Sequence, residues 1–120
     1  MKTIALRELA HSRSGEKGHD SNVSVIVYDP KLFPLIKEQV TVEAVSRLYG
    51  SITKGAIRRY ELPAIGALNF VIENVLEGGR SRTLAFEESG KALSSLMLTL
   101  RVTVPSDTPE RARLRAREAS

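Results

Sequence analysis

The segment Val23-Ser-Val-Ile-Val-Tyr28 sets the strongest constraint on this chain. Apart from Ser24 it is apolar on both faces and rich in β-branched side chains, the pattern of an interior strand covered on more than one side. A chain with such a strand has to build a sheet around it. The residues that follow supply a cover. Asp29-Pro30 suits a helix start, because Asp caps the first amides and Pro gives up a hydrogen bond that would be unmade anyway. Leu32, Leu35 and Ile36 then share a face, with Pro34 either interrupting a helix from Pro30 or restarting one. Thr41 can cap a second helix, lined by Val42, Val45, Leu48 and Tyr49 and left through Gly50. Together these predict a two-part helical crossover whose next strand returns to the same sheet.

Elsewhere the periodicities are weaker. Thr3 to Leu9 alternate loosely and read as a first strand. Residues 56–62 read as a half-exposed strand ended by Pro63, with Tyr60 and Leu62 alternating with Arg59 and Glu61. Ile65, Leu68, Ile72, Val75 and Leu76 recur at helical spacing up to Gly78-Gly79, which predicts a helix with Asn69 on its apolar stripe. Burying an unpaired amide costs about 1 to 3 kcal/mol, so Asn69 is expected to be buried and hydrogen-bonded to backbone. Thr83 to Phe86 reads as a short strand. From Lys91 a helical pattern through Leu93, Leu96, Met97 and Leu100 overlaps an alternating one through Leu98, Leu100, Val102 and Val104. It is read as a helix to about Leu98 and extended chain beyond. Residues 105–120, with Leu114 as their one large apolar residue, read as a basic, disordered tail behind a single domain of residues 1–104.

Composition removes whole classes. There is no cysteine, which excludes disulfides, thiol nucleophiles and Cys-ligated metal centres. No apolar run approaches the ~18 to 20 residues of a membrane span, and charge interrupts the N-terminal stretch where a signal peptide needs its apolar region. A cytoplasmic protein with no membrane partner is expected. The net charge of +4 divides into +1 on residues 105–120 and +3 on the body, so no basic tail points to nucleic acid.

The chemically capable side chains gather in residues 11–22, His-Ser-Arg-Ser-Gly-Glu-Lys-Gly-His-Asp-Ser-Asn. Twelve polar residues between two strands exceed a tight hairpin loop of ~2 to 5, so the segment reads as a functional loop. Arg13 and Lys17 supply donors to a phosphate or carboxylate, and Gly15 and Gly18 let backbone amides approach it. Anion binding is the simplest chemistry for such a loop, although it lacks the spacing of a P-loop. A plainer alternative is a polar loop whose Asp20 and Ser21 hydrogen-bond their own backbone. His11 or His19 beside Glu16 or Asp20 could act as an oriented general base, or begin a relay with Ser12, Ser14 or Ser21. Neighbours on one loop rarely meet in that geometry. His11, His19 and Asp20 match no recognised metal-ligand spacing, and neither a metal nor a cofactor is expected.

Several ordered blocks carry a resemblance. They are His11 to Gly18 with Ser21-Asn22, the Val-rich strand with Asp29-Pro30, Arg59-Tyr-Glu-Leu-Pro63, Ala67-Leu-Asn-Phe70 and Gly90-Lys91. Over about residues 3–104 the chain resembles the small C-terminal domain of AtuA-like proteins, the acyclic terpene utilisation family. That family is found with acyl-CoA metabolism of citronellol and geraniol in bacteria. The resemblance implies an α+β fold, a ferredoxin-like sandwich with about four strands and helices packed on one face. It brings no reaction. It points to His11, Arg13, Ser14, Gly15, Lys17, Gly18, Ser21 and Asn22 in the first block, and to Asn69 and Phe70 further on. His19 stands where Asp, Asn or Gly is expected, which argues against an essential base there. The large domain of the family does not precede this one, so a separate large AtuA-like subunit is the implied partner.

Three functional readings follow, and the first is preferred. The chain is an accessory subunit, not catalytic in isolation, in a system for acyl-CoA catabolism of a terpenoid or branched acid. It binds a CoA thioester or other anionic ligand through Arg13, Ser14, Gly15, Lys17, Gly18, Ser21, Asn22 and Asn69. The second is an enzyme acting on an acyl-CoA-like substrate, with His11 as base and Arg13 and Lys17 on the anionic group. The third is a structural homo-oligomer whose loop lies in an interface.

Overall fold

The computed structural model describes residues 1–17, 20–50, 56–73 and 93–110. In chain order the elements are β1 (Lys2–Ala5), β2 (Ala10–Lys17), β3 (Asp20–Val27), α1 (Phe33–Gln39), α2 (Val42–Tyr49), β4 (Ile57–Leu62), β5 (Ala67–Ile72), α3 (Leu93–Met97) and β6 (Arg101–Val104). Single 3-10 turns occupy Leu6–Glu8, Pro30–Leu32 and Pro63–Ile65.

The Val-rich segment lies in β3, an interior strand of a four-stranded antiparallel sheet ordered β2-β3-β5-β4. Its cover is one-sided, contrary to the expectation. Val23, Val25 and Val27 are buried beneath the helices, whereas Ser24 and Ile26 on the other face are half-buried. α2 packs over β4, and α3 over β2 and β3. This is the expected α+β, ferredoxin-like arrangement.

The crossover forms as its caps predict. The Asp29 carboxylate accepts from the amide of Lys31 at 3.0 Å, a 3-10 turn follows, and α1 starts afresh with Pro34 in its first turn, where the missing amide costs nothing. Thr41 Oγ1 accepts from the amide of Ala44 at 3.2 Å and opens α2, which buries Val45 and Tyr49. β4 then returns to the same sheet, but its faces are reversed from the predicted sense. Arg59 points to the helical side and donates to the carbonyls of Lys37 (2.7 Å) and Val40 (3.0 Å), closing the C-terminal end of α1 where a cation is favoured. Tyr60 and Leu62 therefore face outward, 49% and 44% exposed.

Three other expectations change. The strand expected over Thr3–Leu9 stops at Ala5, where the turn Leu6–Glu8 begins; β1 pairs with β6 in a two-stranded sheet, and the chain enters the four-stranded sheet only with β2 from Ala10. The expected loop at 11–22 is a hairpin. The helix expected from Ile65 is instead the turn Pro63–Ile65 followed by β5, in which Leu68, Phe70 and Ile72 alternate into the core. Gly66 makes that switch. Its φ of 63° is open to glycine, and a Cβ there would lie 2.8 Å from Val27 Cγ2. Residues 74–79 and the strand expected at 83–86 lie outside the described residues.

In the ambiguous stretch α3 ends at Met97 and β6 runs from Arg101, close to the predicted change. On the far edge of β6 the Gln39 side chain stands in for a strand. Its Nε2 donates to the Thr103 carbonyl and its Oε1 accepts from the Thr103 amide, both at 2.7 Å. Residues 105–110 turn back on the body, with Thr108 buried and Lys2 paired to Glu110 at 3.4 Å. One apolar cluster joins the layers, including Leu9, Val25, Ile36, Tyr49, Phe70, Met97 and Val102.

Candidate functional site

Strand register decides which of the predicted site residues meet. β2 and β3 pair from Ala10↔Val27 to Lys17↔Asp20, so the polar block is the end of a hairpin and not a free loop. Arg13 and Lys17 therefore stand four residues and about 13 Å apart along one strand, at ~3.3 Å per residue, and not in a reversing loop. The side chains of Glu16 and Lys17, and residues 18 and 19 with Gly18 and His19, lie outside what is described.

Alternation then sorts the rest. Ser14 and Ser21 belong to the face turned toward the helices; Ser21 is 2% exposed, and among the described residues neither its Oγ nor that of Ser12 has a hydrogen-bond partner. Neither Ser14 nor Ser21 shares a surface with Arg13. The opposite, open face carries parallel rows of residues across the four strands. Arg13, Ser24, Asn69 and Tyr60 form one row, and Gly15, Asn22, Val71 and Arg58 the next. A third is His11, Ile26, Ala67 and Leu62. Asn69 is thus on a strand and half-buried, not in the core, and its neighbours are Ser24 and Tyr60. Gly15 leaves room for the Asn22 amide, whose Nδ2 is 3.5 Å from where a Cβ would be.

This face is half open to solvent. Arg13, Asn22, Arg58, Tyr60 and Leu62 are exposed, while the small Ala67 is hidden by its neighbours; Ile65, in the turn after β4, is 62% exposed. Arg58 is held by Glu73 at 2.8 Å, whereas Arg13 has no ion pair among the described residues. His11 has an aromatic neighbour: its ring centroid lies 5.5 Å from that of Tyr28, tilted by 36°. No carboxylate orients that imidazole as a general base among the described residues. Nor do three of His, Asp and Glu gather there as a metal site.

The family model of the AtuA ferredoxin-like domain matches residues 4–103. The chain belongs to that family. No curated protein matches it. In this AtuA ferredoxin-like domain the matched span covers every described strand and helix but the ends of β1 and β6, so the whole fold is the family's domain. No described helix is long and apolar enough to cross a membrane. Tyr60, Leu62, Arg58 and Val71 are the members of the open face that sequence patterning missed. Tyr60 and Leu62 alternate as an inward face would, and only the reach of Arg59 to two helix-terminal carbonyls reverses the sense.

Proposed function

We propose that this chain is an accessory subunit that docks through its open sheet face on a large AtuA-like chain, and is not catalytic by itself. The observation that supports it is one surface. Arg13, Gly15, Asn22 and Asn69, four of the residues singled out from the sequence, share a face with exposed Tyr60 and Leu62. Aromatic and aliphatic anchors ringed by Arg and Asn are the composition of a protein interface core and rim. A partner covering Tyr60 and Leu62 also meets Arg13, an exposed cation suited to the phosphates or carboxylate of an acyl-CoA-type ligand held at the junction. Linkage to acyl-CoA catabolism rests on the family resemblance and belongs to this proposal.

The test is co-purification of the two chains, with mass measured by light scattering. A stable complex is expected for the wild type and for Glu43→Lys on the exposed flank of α2, and its loss for Tyr60→Asp with Leu62→Asp. If the wild type forms no complex, or the double variant forms it equally well, the proposal fails.

A further inference from the structure

We propose that a groove between α2 and the start of β6 binds a small amphipathic anion, a carboxylate or phosphate carried on a short apolar body. The groove is open to solvent, has a volume of about 500 Å³ and is lined by Gln39, Ala44, Arg47, Leu48, Leu100 and Arg101. That volume falls in the range of small-molecule sites, about 300 to 1,000 Å³. Ala44, Arg47 and Leu48 are spaced i, i+3 and i+4, so one flank of α2 makes a wall, and Leu100 with Arg101 makes the other.

The two walls agree on a ligand. Ala44, Leu48 and Leu100 are half-buried and give an apolar floor, while both guanidinium groups stand exposed at the rim. Arg101 donates from Nη2 to the Thr3 carbonyl at 3.0 Å, which fixes its plane against β1 and leaves other N–H groups to donate. Arg47 has no ion pair among the described residues. The Gln39 amide is already used on both sides by Thr103. None of the lining residues is acidic, so the unused hydrogen-bonding capacity of the groove consists of cationic donors, which take a carboxylate or phosphate in paired N–H···O bonds. A bare inorganic anion leaves the floor wet, and a hydrocarbon tail covers it. The groove lies on the helical side of the sheet, so it is independent of the docking face.

Amide NMR titration of the full chain tests this, with octanoate and octyl phosphate as probes. Inorganic phosphate and octanol separate charge from chain. Both amphipathic anions are expected to shift the amides of Ala44, Leu48 and Leu100 saturably, with each single-feature probe at least about tenfold weaker. Arg47→Met, an exposed change that leaves the fold intact, and Arg101→Met should each weaken binding about tenfold. Preference for octyl phosphate assigns a phosphate head group and preference for octanoate a carboxylate; either supports the site. Absence of saturable shifts at these amides overturns it, as does octanol or inorganic phosphate binding as tightly as the anions. Unchanged affinity in both Arg variants does the same.

Discussion

Tyr49 shows how one buried polar atom ties two elements together. Its ring is fully buried on α2 and its hydroxyl donates to the carbonyl of Leu93 at the start of α3. Burial pushes the phenol well above its ordinary value of 10.0, because an anion there would lose its hydration. In the unfolded chain the phenol deprotonates first. Above about pH 10 the folded state therefore holds a proton that the unfolded state has lost, and stability falls as pH rises. Below that pH the contribution is fully present. Tyr49→Phe keeps the ring but removes the hydrogen bond to the Leu93 carbonyl, at a cost of about 0.5 to 1.5 kcal/mol near neutral pH. Urea midpoints across pH 8 to 11.5, a range of about that width, should fall more steeply for the wild type than for Tyr49→Phe. Equal alkaline slopes would show that other groups dominate.

Among the elements, those announced by caps were legible in the sequence, because a cap is a local rule. Asp29 and Thr41 each bond the amide that their position predicts, and α1 and α2 follow. The β2–β3 hairpin was hidden for the opposite reason. At the edge of a sheet both faces of β2 tolerate polar residues, so Ser12 to Lys17 carries no alternation to read. β5 failed through coincidence, since Leu68 and Ile72 fit a helical spacing as well as an alternating one, and Phe70 is the residue that separates the two. The C-terminal segment follows the same lesson. Its composition predicts a detachable tail, yet Thr108 is buried and its amide bonds the Pro105 carbonyl at 3.0 Å. Truncation after Glu110 is therefore expected to leave the melting temperature unchanged within about 2 °C. Truncation after Val104 should lower it by roughly 4 to 8 °C, the shift that ~1 kcal/mol produces in a domain of this size. Equal melting temperatures for the two truncations would place the whole segment outside the folded body.

The molecule as a whole is a sheet with two unlike faces, and β4 and β5 carry both within adjacent residues. Phe70 is fully buried under the helices, whereas Tyr60 and Asn69, paired across the strands, look outward. The site residues identified from the sequence divide along the same line, with Ser21 inside and Arg13, Asn22 and Asn69 outside. A scaffold of this kind separates stability from recognition, since the buried face supplies the core and the open face is free to vary. Removing Phe70 deletes a buried ring and leaves a cavity, so Phe70→Ala should cost about 3 to 5 kcal/mol. Because the stability of a whole domain is only about 5 to 15 kcal/mol, that is a large share of it. Tyr60→Ser, by contrast, removes a half-exposed ring and should cost the isolated chain less than about 1 kcal/mol. The decisive measurement is urea denaturation of both variants, alone and with the large AtuA-like chain present. Tyr60→Ser should lose most of whatever stabilisation the partner confers on the wild type, because ligands of the native state stabilise it in proportion to their affinity. If Tyr60→Ser destabilises the isolated chain as much as Phe70→Ala does, the face is already covered within the chain, and it is not available for a partner.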